Sequence, residues 1–269
     1  MKTLLVCHHD APLHRLGMAR WLASFSDLSG IVEIHESRDR LWRRVRREIR
    51  RVGALRFLDV LAFRTYERLR LAAADRAWEQ REVARLCAVY PSPPDVPVHV
   101  TSNPNSPATA AFIRDAAPDL MLAACKTILR KEVFTLPPRG TYVVHPGICP
   151  EYRNAHGCFW ALANDDAHNV GATLLRIDAG VDTGPVYGHF RYDYDSLRES
   201  PFMIQTRVVF ENLDAIRLAM LDAATGRSQP LDTSRRPSAA WGQPWLTRYL
   251  RWKQRARKRH RESAVAALS

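Results

Sequence analysis

Residues 120–125 read Leu-Met-Leu-Ala-Ala-Cys, six consecutive side chains without a charge or an amide. A strand turns successive side chains to opposite faces, so this run is apolar on both faces and has to be buried on both. A sheet covered by helices on each side provides that burial, which points to parallel strands joined by helical crossovers. The run cannot cross a bilayer, because Arg, Asp or Pro interrupts every apolar stretch before the roughly 18 residues that a membrane helix needs.

The rest of the chain extends that reading. Residues 2–7 form a short apolar strand, Leu13, Leu16, Trp21 and Leu22 recur near helical spacing over 12–25, and 30–35 alternate as a second strand. The rhythm then breaks for about fifty residues. Trp42, Val45, Ile49 and Val52 predict an amphipathic helix, Gly53 a bend, and further helices follow over 55–71 and 74–87. This helical insert (about 36–88) elaborates a core that resumes beyond a proline linker at 91–97. Residues 98–100 are an edge strand, 107–116 a helix capped by the 103–107 turn, 128–134 a short helix and 141–144 the next strand. The spacing then predicts a helix over 152–164, a strand over 171–178, a strand or hairpin over 184–194 and one long helix over 201–223. The expected architecture is α/β, a Rossmann-like and mostly parallel sheet over 1–225 with an inserted helical segment. A basic helical tail over 226–269 shows no strand pattern.

Composition narrows the function classes. At 46% apolar and 25% charged residues the chain is not intrinsically disordered. Five cysteines with no C-x-x-C pair argue against a disulfide framework and a structural zinc site, and no metal ligand set is assigned. The start, MKTLLVCHHDAP, has too short an apolar run for a secretory signal, so a cytoplasmic location is expected. The net charge of +12 is localised: residues 38–51 hold eight Arg against Asp39 and Glu48, and 245–261 hold six Arg and two Lys without an acid. These two segments are candidates for an anionic membrane surface or a phosphate-bearing ligand. Trp245, Tyr249 and Trp252 share one helical face in the tail, which fits equally well with packing on the body. Lysine supplies only five of the 40 cations, an arginine bias that weakens the assignment of any single one to a ligand.

The chemistry-bearing residues cluster after the strand at 141–144. His145-Pro-Gly-Ile-Cys-Pro150 leaves its end, where a parallel sheet opens its ligand crevice. A second segment, Asp178-Ala-Gly-Val-Asp-Thr-Gly-Pro185, follows the next helix and strand and can bring Asp182 back to that crevice. A His with an orienting carboxylate is the smallest apparatus that moves a proton near neutral pH.

The order strand, His-Pro-x-x-x-Pro-x-Tyr-Arg, helix, Gly-x-Thr-Leu strand, Asp-x-Gly-Val-Asp-Thr-Gly resembles the folate-dependent formyltransferases. Pro118-Asp-Leu, Ile128-Leu129 and the Pro137–Gly140 turn fit too, so the resemblance covers roughly 98–190. It implies 10-formyltetrahydrofolate as formyl donor and an amine on a small, sugar- or phosphate-bearing molecule as acceptor. It also implies His145 and Asp182 as catalytic residues, and a donor pocket that takes in Cys125, Lys126, Gly147, Ile148, Cys149 and Asp178.

Two departures matter. The family places an Asn two residues before the His to donate to the formyl oxygen, and here that position is Val143, which donates nothing. Losing an oxyanion donor costs on the order of 10²–10³ in rate. The replacement candidates are protonated His145, Asn154, His156 and backbone N–H groups of the Pro146-Gly147 turn. Tyr-Arg-Asn also stands where Tyr-Arg-Gly is expected. Hydrolysis of a formyl-folate, transfer of another acyl group, and a non-catalytic role at an anionic surface are the alternatives that follow. Fewer than fifty residues succeed the last body helix, too few for the β-barrel domain of tRNA formyltransferases, so tRNA is not the expected acceptor.

Overall fold

The structure is a computed structural model that describes residues 1–36, 38–93 and 95–266, with backbone alone for 38–41 and 44. Five strands run parallel: β1 (Lys2–His8), β2 (Asp27–Ile34), β3 (Val98–Thr101), β4 (Leu120–Ala124) and β5 (Thr141–His145). After β6 (Arg153–Asn154), which stands outside this sheet, β7 (Ala172–Arg176) and β8 (Val186–Phe190) add an antiparallel hairpin next to β5. The order is β3-β2-β1-β4-β5-β7-β8, so the direction of winding switches between β1 and β4 and a crevice opens beyond their C-terminal ends.

Both faces of the sheet are buried, as the double-sided apolar runs require. Leu5, Cys7, Leu120, Leu122 and Tyr142 pack into one core, and Leu4, Val6, Val32, Ile34, Met121 and Ala123 into the other. Each such side chain removed from water contributes about 1.5–3 kcal/mol.

The helical elements show where local pattern was overridden. The segment after β1 opens as a π-helical turn at Leu13–Met18 before α1 (Ala19–Ala23), with Gly17 so close to Leu86 that a Cβ would lie 2.5 Å from its Cδ1. The insert comprises α2 (Arg38–Val52), α3 (Ala54–Tyr66), a π-helical turn at Glu67–Leu71 and α4 (Ala72–Val89), with Gly53 at φ 80° making the expected bend. Helix α5 (Pro107–Ala116) is capped by Ser106, which accepts from Thr109 N–H at 3.2 Å, and α6 (Lys131–Phe134) is a single turn. The helix expected over 152–164 shortens to α7 (Gly157–Ala163), because Asn154 and His156 adopt positive φ and shape the preceding loop. The long helix expected over 201–223 is two, α8 (Pro201–Phe210) and α9 (Leu213–Thr225). Asn212 ends the first: its side-chain amide donates to Val208 O at 2.8 Å and Arg191 O at 3.0 Å and takes over the carbonyl that the helix would have used.

The tail contradicts the strandless reading. Ala240–Trp241 form β9, which pairs with β6, and Trp241 stacks between Tyr152 and Trp160. The final helix, α10 (Leu246–Ala266), packs on α3 and α7 with Tyr249 and Trp252 buried. All five cysteines are free, and no helix among the described residues is long and apolar enough to cross a membrane.

Candidate functional site

Strand β5 carries Val143 and His145 on one face, opposite Leu175 and Thr173 of β7. His145 is 5% exposed, and its ring is fixed at both nitrogens. Nε2 stands 2.8 Å from the Tyr152 carbonyl, which can only accept, so Nε2 carries a hydrogen. Nδ1 stands 3.4 Å from Asp182 Oδ2. With a hydrogen on Nε2, Nδ1 is the ring nitrogen that faces the carboxylate and can exchange a proton with it.

Asp182 reaches His145 by a route that the spacing did not show. Strand β7 runs antiparallel to β5 and carries the chain away from His145, to the pairing of Arg176 with Tyr142. The turn over 177–185 folds back across the face that bears Val143 and Leu175. Asp182 sits in it at φ 52°, and Gly184 is obligatory because a Cβ would lie 1.8 Å from Arg176 O. Asp178 shapes the same turn: its Oδ1 accepts from Gly180 N–H at 2.9 Å and from the Thr183 hydroxyl at 2.8 Å. The loop after β5 is stitched to it, since Asn154 N–H donates to Asp182 Oδ2 at 2.8 Å and Arg153 to Val181 O at 3.0 Å.

The other expected residues occupy the same end of the sheet. Gly147 lies against His145, and a Cβ there would sit 2.7 Å from Nε2. Ile148 and Cys149 are buried, so their side chains belong to the core. Thr173 locks their loop, its hydroxyl accepting from Cys149 N–H at 2.9 Å and donating to Gly147 O at 2.7 Å. Cys125 and Lys126 follow β4. Burial pushes the Cys125 thiol up to about 11, away from nucleophilic chemistry, while Lys126 is exposed and its N–H donates to His8 Nε2 at 3.0 Å.

Val143 packs against Cys149, Leu175 and Val186. Among the candidate oxyanion donors, Gly147 N–H is occupied by His145 O at 2.9 Å, and the Asn154 amide donates to Trp241 O. His156 bonds with Gln205 and Gln243, and burial pushes it down to about 3, with Arg64 and Lys126 adding to the effect. Of the candidates, His145 Nδ1 is left, with Asp182 Oδ2 3.4 Å away.

Sequence reasoning missed a polar lining supplied from elsewhere. Glu67, raised by burial, lies within electrostatic reach of Arg64 and Lys126, and Arg64 bonds to Gln243. His14 is pushed down to about 4, first by burial and then by Lys126 and His8. Glu67 and His156 thus both lie within electrostatic reach of Arg64 and Lys126. The adjacent His8 and His9 after β1 were the one available signal, since nothing marks Arg64 among 40 cations. His9, Glu33 and His35 also bring their donor atoms within 4.8 Å of one another, the one such trio among the described residues, with His9 Nδ1 2.9 Å from Glu33.

The mostly parallel α/β sheet with its antiparallel hairpin gives the fold class, and comparison with known proteins gives the family. Residues 71–216, more than half of the chain, match the family described as formyl transferase, and the chain belongs to that family. Methionyl-tRNA formyltransferase of Roseiflexus sp. (strain RS-1) is 33% identical over 127 residues, 45% of this chain and 39% of that protein. The enzyme of the same name from Anaeromyxobacter sp. (strain K) is 41% identical over 78 residues, 29% of this chain and 25% of its own. The match thus spans well under half of these relatives. Glycinamide ribonucleotide transformylase 1 from Symbiobacterium toebii shares the fold at TM-score 0.52 and 14% identity, covering 86% of this chain and 94% of that one. Phosphoribosylglycinamide formyltransferase from Anaplasma phagocytophilum does so at TM-score 0.52 and 11% identity, covering 91% and 99%.

Proposed function

We propose that this protein transfers a formyl group from 10-formyltetrahydrofolate to an amine of a small acceptor that carries a sugar or phosphate group. The observation that carries the reading is the His145–Asp182 pair, 3.4 Å apart, with Nε2 anchored on a carbonyl. The residues at the crevice fit such a donor: Lys126 offers a cation to an anionic tail, and the exposed Ile128 and Val181 offer apolar walls. Main-chain groups of Gly147, Ile148 and Cys149 line the same end, and Asp178 contributes by holding the turn. The donor supplies the formyl carbon when bound.

The residues then divide the proton work. Asp182 takes the proton that the acceptor amine loses as it attacks, and the folate nitrogen takes that proton up as its bond to the formyl carbon breaks and it leaves. His145 Nδ1–H meets the negative charge that builds on the attacked oxygen, in the place of the family's Asn. Tyr152 O keeps the ring from turning away. Arg64, exposed on α3 and within electrostatic reach of His156, favours an acceptor with an anionic group.

The test is discharge of 10-formyltetrahydrofolate in the presence of a panel of amino sugars, their nucleotide conjugates and phosphorylated amines, with wild type, His145→Ala and Asp182→Asn. Amine-dependent discharge lost in both variants supports the reading. Discharge that both variants keep refutes it. Val143 supports a second reading, hydrolysis of the same donor, which amine-independent release of formate identifies.

A further inference from the structure

The fold uses the two basic segments differently. In α10, Lys253 donates to Ser196 O at 2.7 Å and Glu199 O at 2.8 Å, Arg255 donates to Leu162 O and Ala163 O, and Arg259 pairs with Asp165. The tail's aromatic face is buried as well. Much of that charge therefore serves the fold.

The α2–α3 hairpin differs. At 100° per residue, Arg43, Arg46, Arg47 and Arg50 fall on an arc of roughly 100°, all exposed, on the side away from buried Glu48. Beyond Gly53, helix α3 buries Val60 and Phe63 and turns out Leu55 (85% exposed), Leu58 and Leu61, and about two turns further the π-helical turn that continues it turns out Leu69 (74%). Trp42 is 66% exposed on the border of the arginine arc. Residues 42–69 contain three acids, and each is engaged: Glu48 with Arg51 and Gln243 N–H, Asp59 with Thr247, and Glu67 near Lys126. The outer surface therefore combines cations, leucines and a tryptophan without an exposed acid. Singly exposed leucines are ordinary; four on one helix beside four arginines are not.

We propose that the outer face of the α2–α3 hairpin docks on an anionic lipid bilayer, the leucines and Trp42 entering the headgroup boundary and the arginines meeting lipid phosphates. An amphipathic interfacial helix needs this pairing of apolar and cationic side chains. A nucleic acid would use the arginines and gain nothing from the leucines. A second copy, joined by a two-fold axis, would set one arginine arc against its own equivalent.

The experiment is co-sedimentation of the full chain with phosphatidylcholine vesicles, with and without phosphatidylglycerol. Binding is expected only with the anionic lipid. It should weaken at least tenfold in Leu55→Ser/Leu58→Ser/Leu69→Ser, a variant of exposed positions that keeps the charge. It should weaken likewise in Arg43→Gln/Arg46→Gln/Arg47→Gln/Arg50→Gln and at about 1 M salt, where the screening length is about 3 Å. Arg248→Gln/Arg251→Gln/Lys258→Gln in the tail should bind as wild type. Independently of any loss of folding, Trp42 fluorescence should be quenched by brominated phosphatidylglycerol, and that signal should vanish in Trp42→Phe. Equal binding to both vesicle types, undiminished binding of the leucine variant, loss confined to the tail variant, or a dimer that the leucine variant dissociates overturns the proposal.

Discussion

Val143→Asn puts the family's amide back into the site and asks what has taken its place. The cost is readable from the structure. Val143 is half-buried against the apolar side chains of Leu175 and Val186 and the thiol of Cys149. The new amide loses water without gaining a partner in the free protein, worth about 1–3 kcal/mol, and the lost methyl packing adds about 1 kcal/mol. A chain of this size should then melt lower by roughly 4–16 °C, at about 2–4 °C per kcal/mol. The gain depends on where the attacked oxygen sits. Positions 143 and 145 share a strand face about 6.6–6.8 Å apart, so an amide at 143 and the His145 ring can converge on one oxygen between them. Adding a donor there should raise kcat by up to about 10²–10³. The assay is initial-rate formyl discharge with the amine found by the panel, run beside thermal unfolding. A melting drop with faster turnover bears out the reasoning. A folded variant whose kcat is unchanged or lower refutes it, and means that the oxygen is held away from position 143.

Four further outcomes follow. Asp182→Asn keeps a group able to accept from Asn154 N–H at 2.8 Å but removes the charge facing Nδ1; kcat should fall about 10²–10⁴ with little change in melting temperature, measured by the same assay. Gly147→Ala places a Cβ 2.5 Å from Tyr152 O and 2.7 Å from His145 Nε2, so turnover should fall at least about 10-fold, read together with near-ultraviolet circular dichroism. Burial holds His14 at about 4 and His156 at about 3, below the ordinary 6.5, so the unfolded chain binds protons first as pH falls. Stability, measured by urea midpoints, should drop between about pH 6.5 and 4 at up to about 1.4 kcal/mol per pH unit for each histidine, and His156→Gln should flatten that slope. Thr173→Val removes the hydroxyl that joins Cys149 N–H to Gly147 O; unfolding should become easier by about 1–3 kcal/mol in chemical denaturation, with catalysis impaired in proportion to the disordering of that loop.

The parts of the fold that were legible are those whose local pattern and burial agree. Strand β4 reads as central because its side chains are apolar on both faces, and α10 reads as packed or solvated by the single face of Tyr249 and Trp252, which the fold then buries. What escaped was decided by contacts between distant segments. Asn212 divides a helix with uninterrupted propensity because a carbonyl at Arg191 needs a donor. Ala240–Trp241 pair with β6 because Trp241 has two aromatic rings to enter between, a fact that a two-residue strand cannot advertise. The polar lining from Arg64 and Glu67 was hidden for another reason: their partners Gln243 and Lys126 lie far along the chain, and a cation in an arginine-rich helix carries no local mark.

The candidate site was legible to a greater depth than its surroundings, and the reason lies in the main chain. His145 is held by Tyr152 O and Asp182 by Asn154 N–H, groups that every residue type provides. What the sequence has to supply is the space for those groups to approach: Gly147 beside the ring, Gly157 against Gly147, and Gly184 beneath the returning turn, at each of which a Cβ would come within 2.5 Å of another atom. A His and an Asp at any comparable separation would satisfy a motif search, but only with these glycines can the antiparallel hairpin fold back far enough to set the carboxylate 3.4 Å from Nδ1. The Val143 side chain packs against Cys149, Leu175 and Val186 and makes none of these frame-holding hydrogen bonds. A change of side chain at position 143 therefore leaves the fold and the pair in place, so the frame and an oxyanion donor there can vary independently.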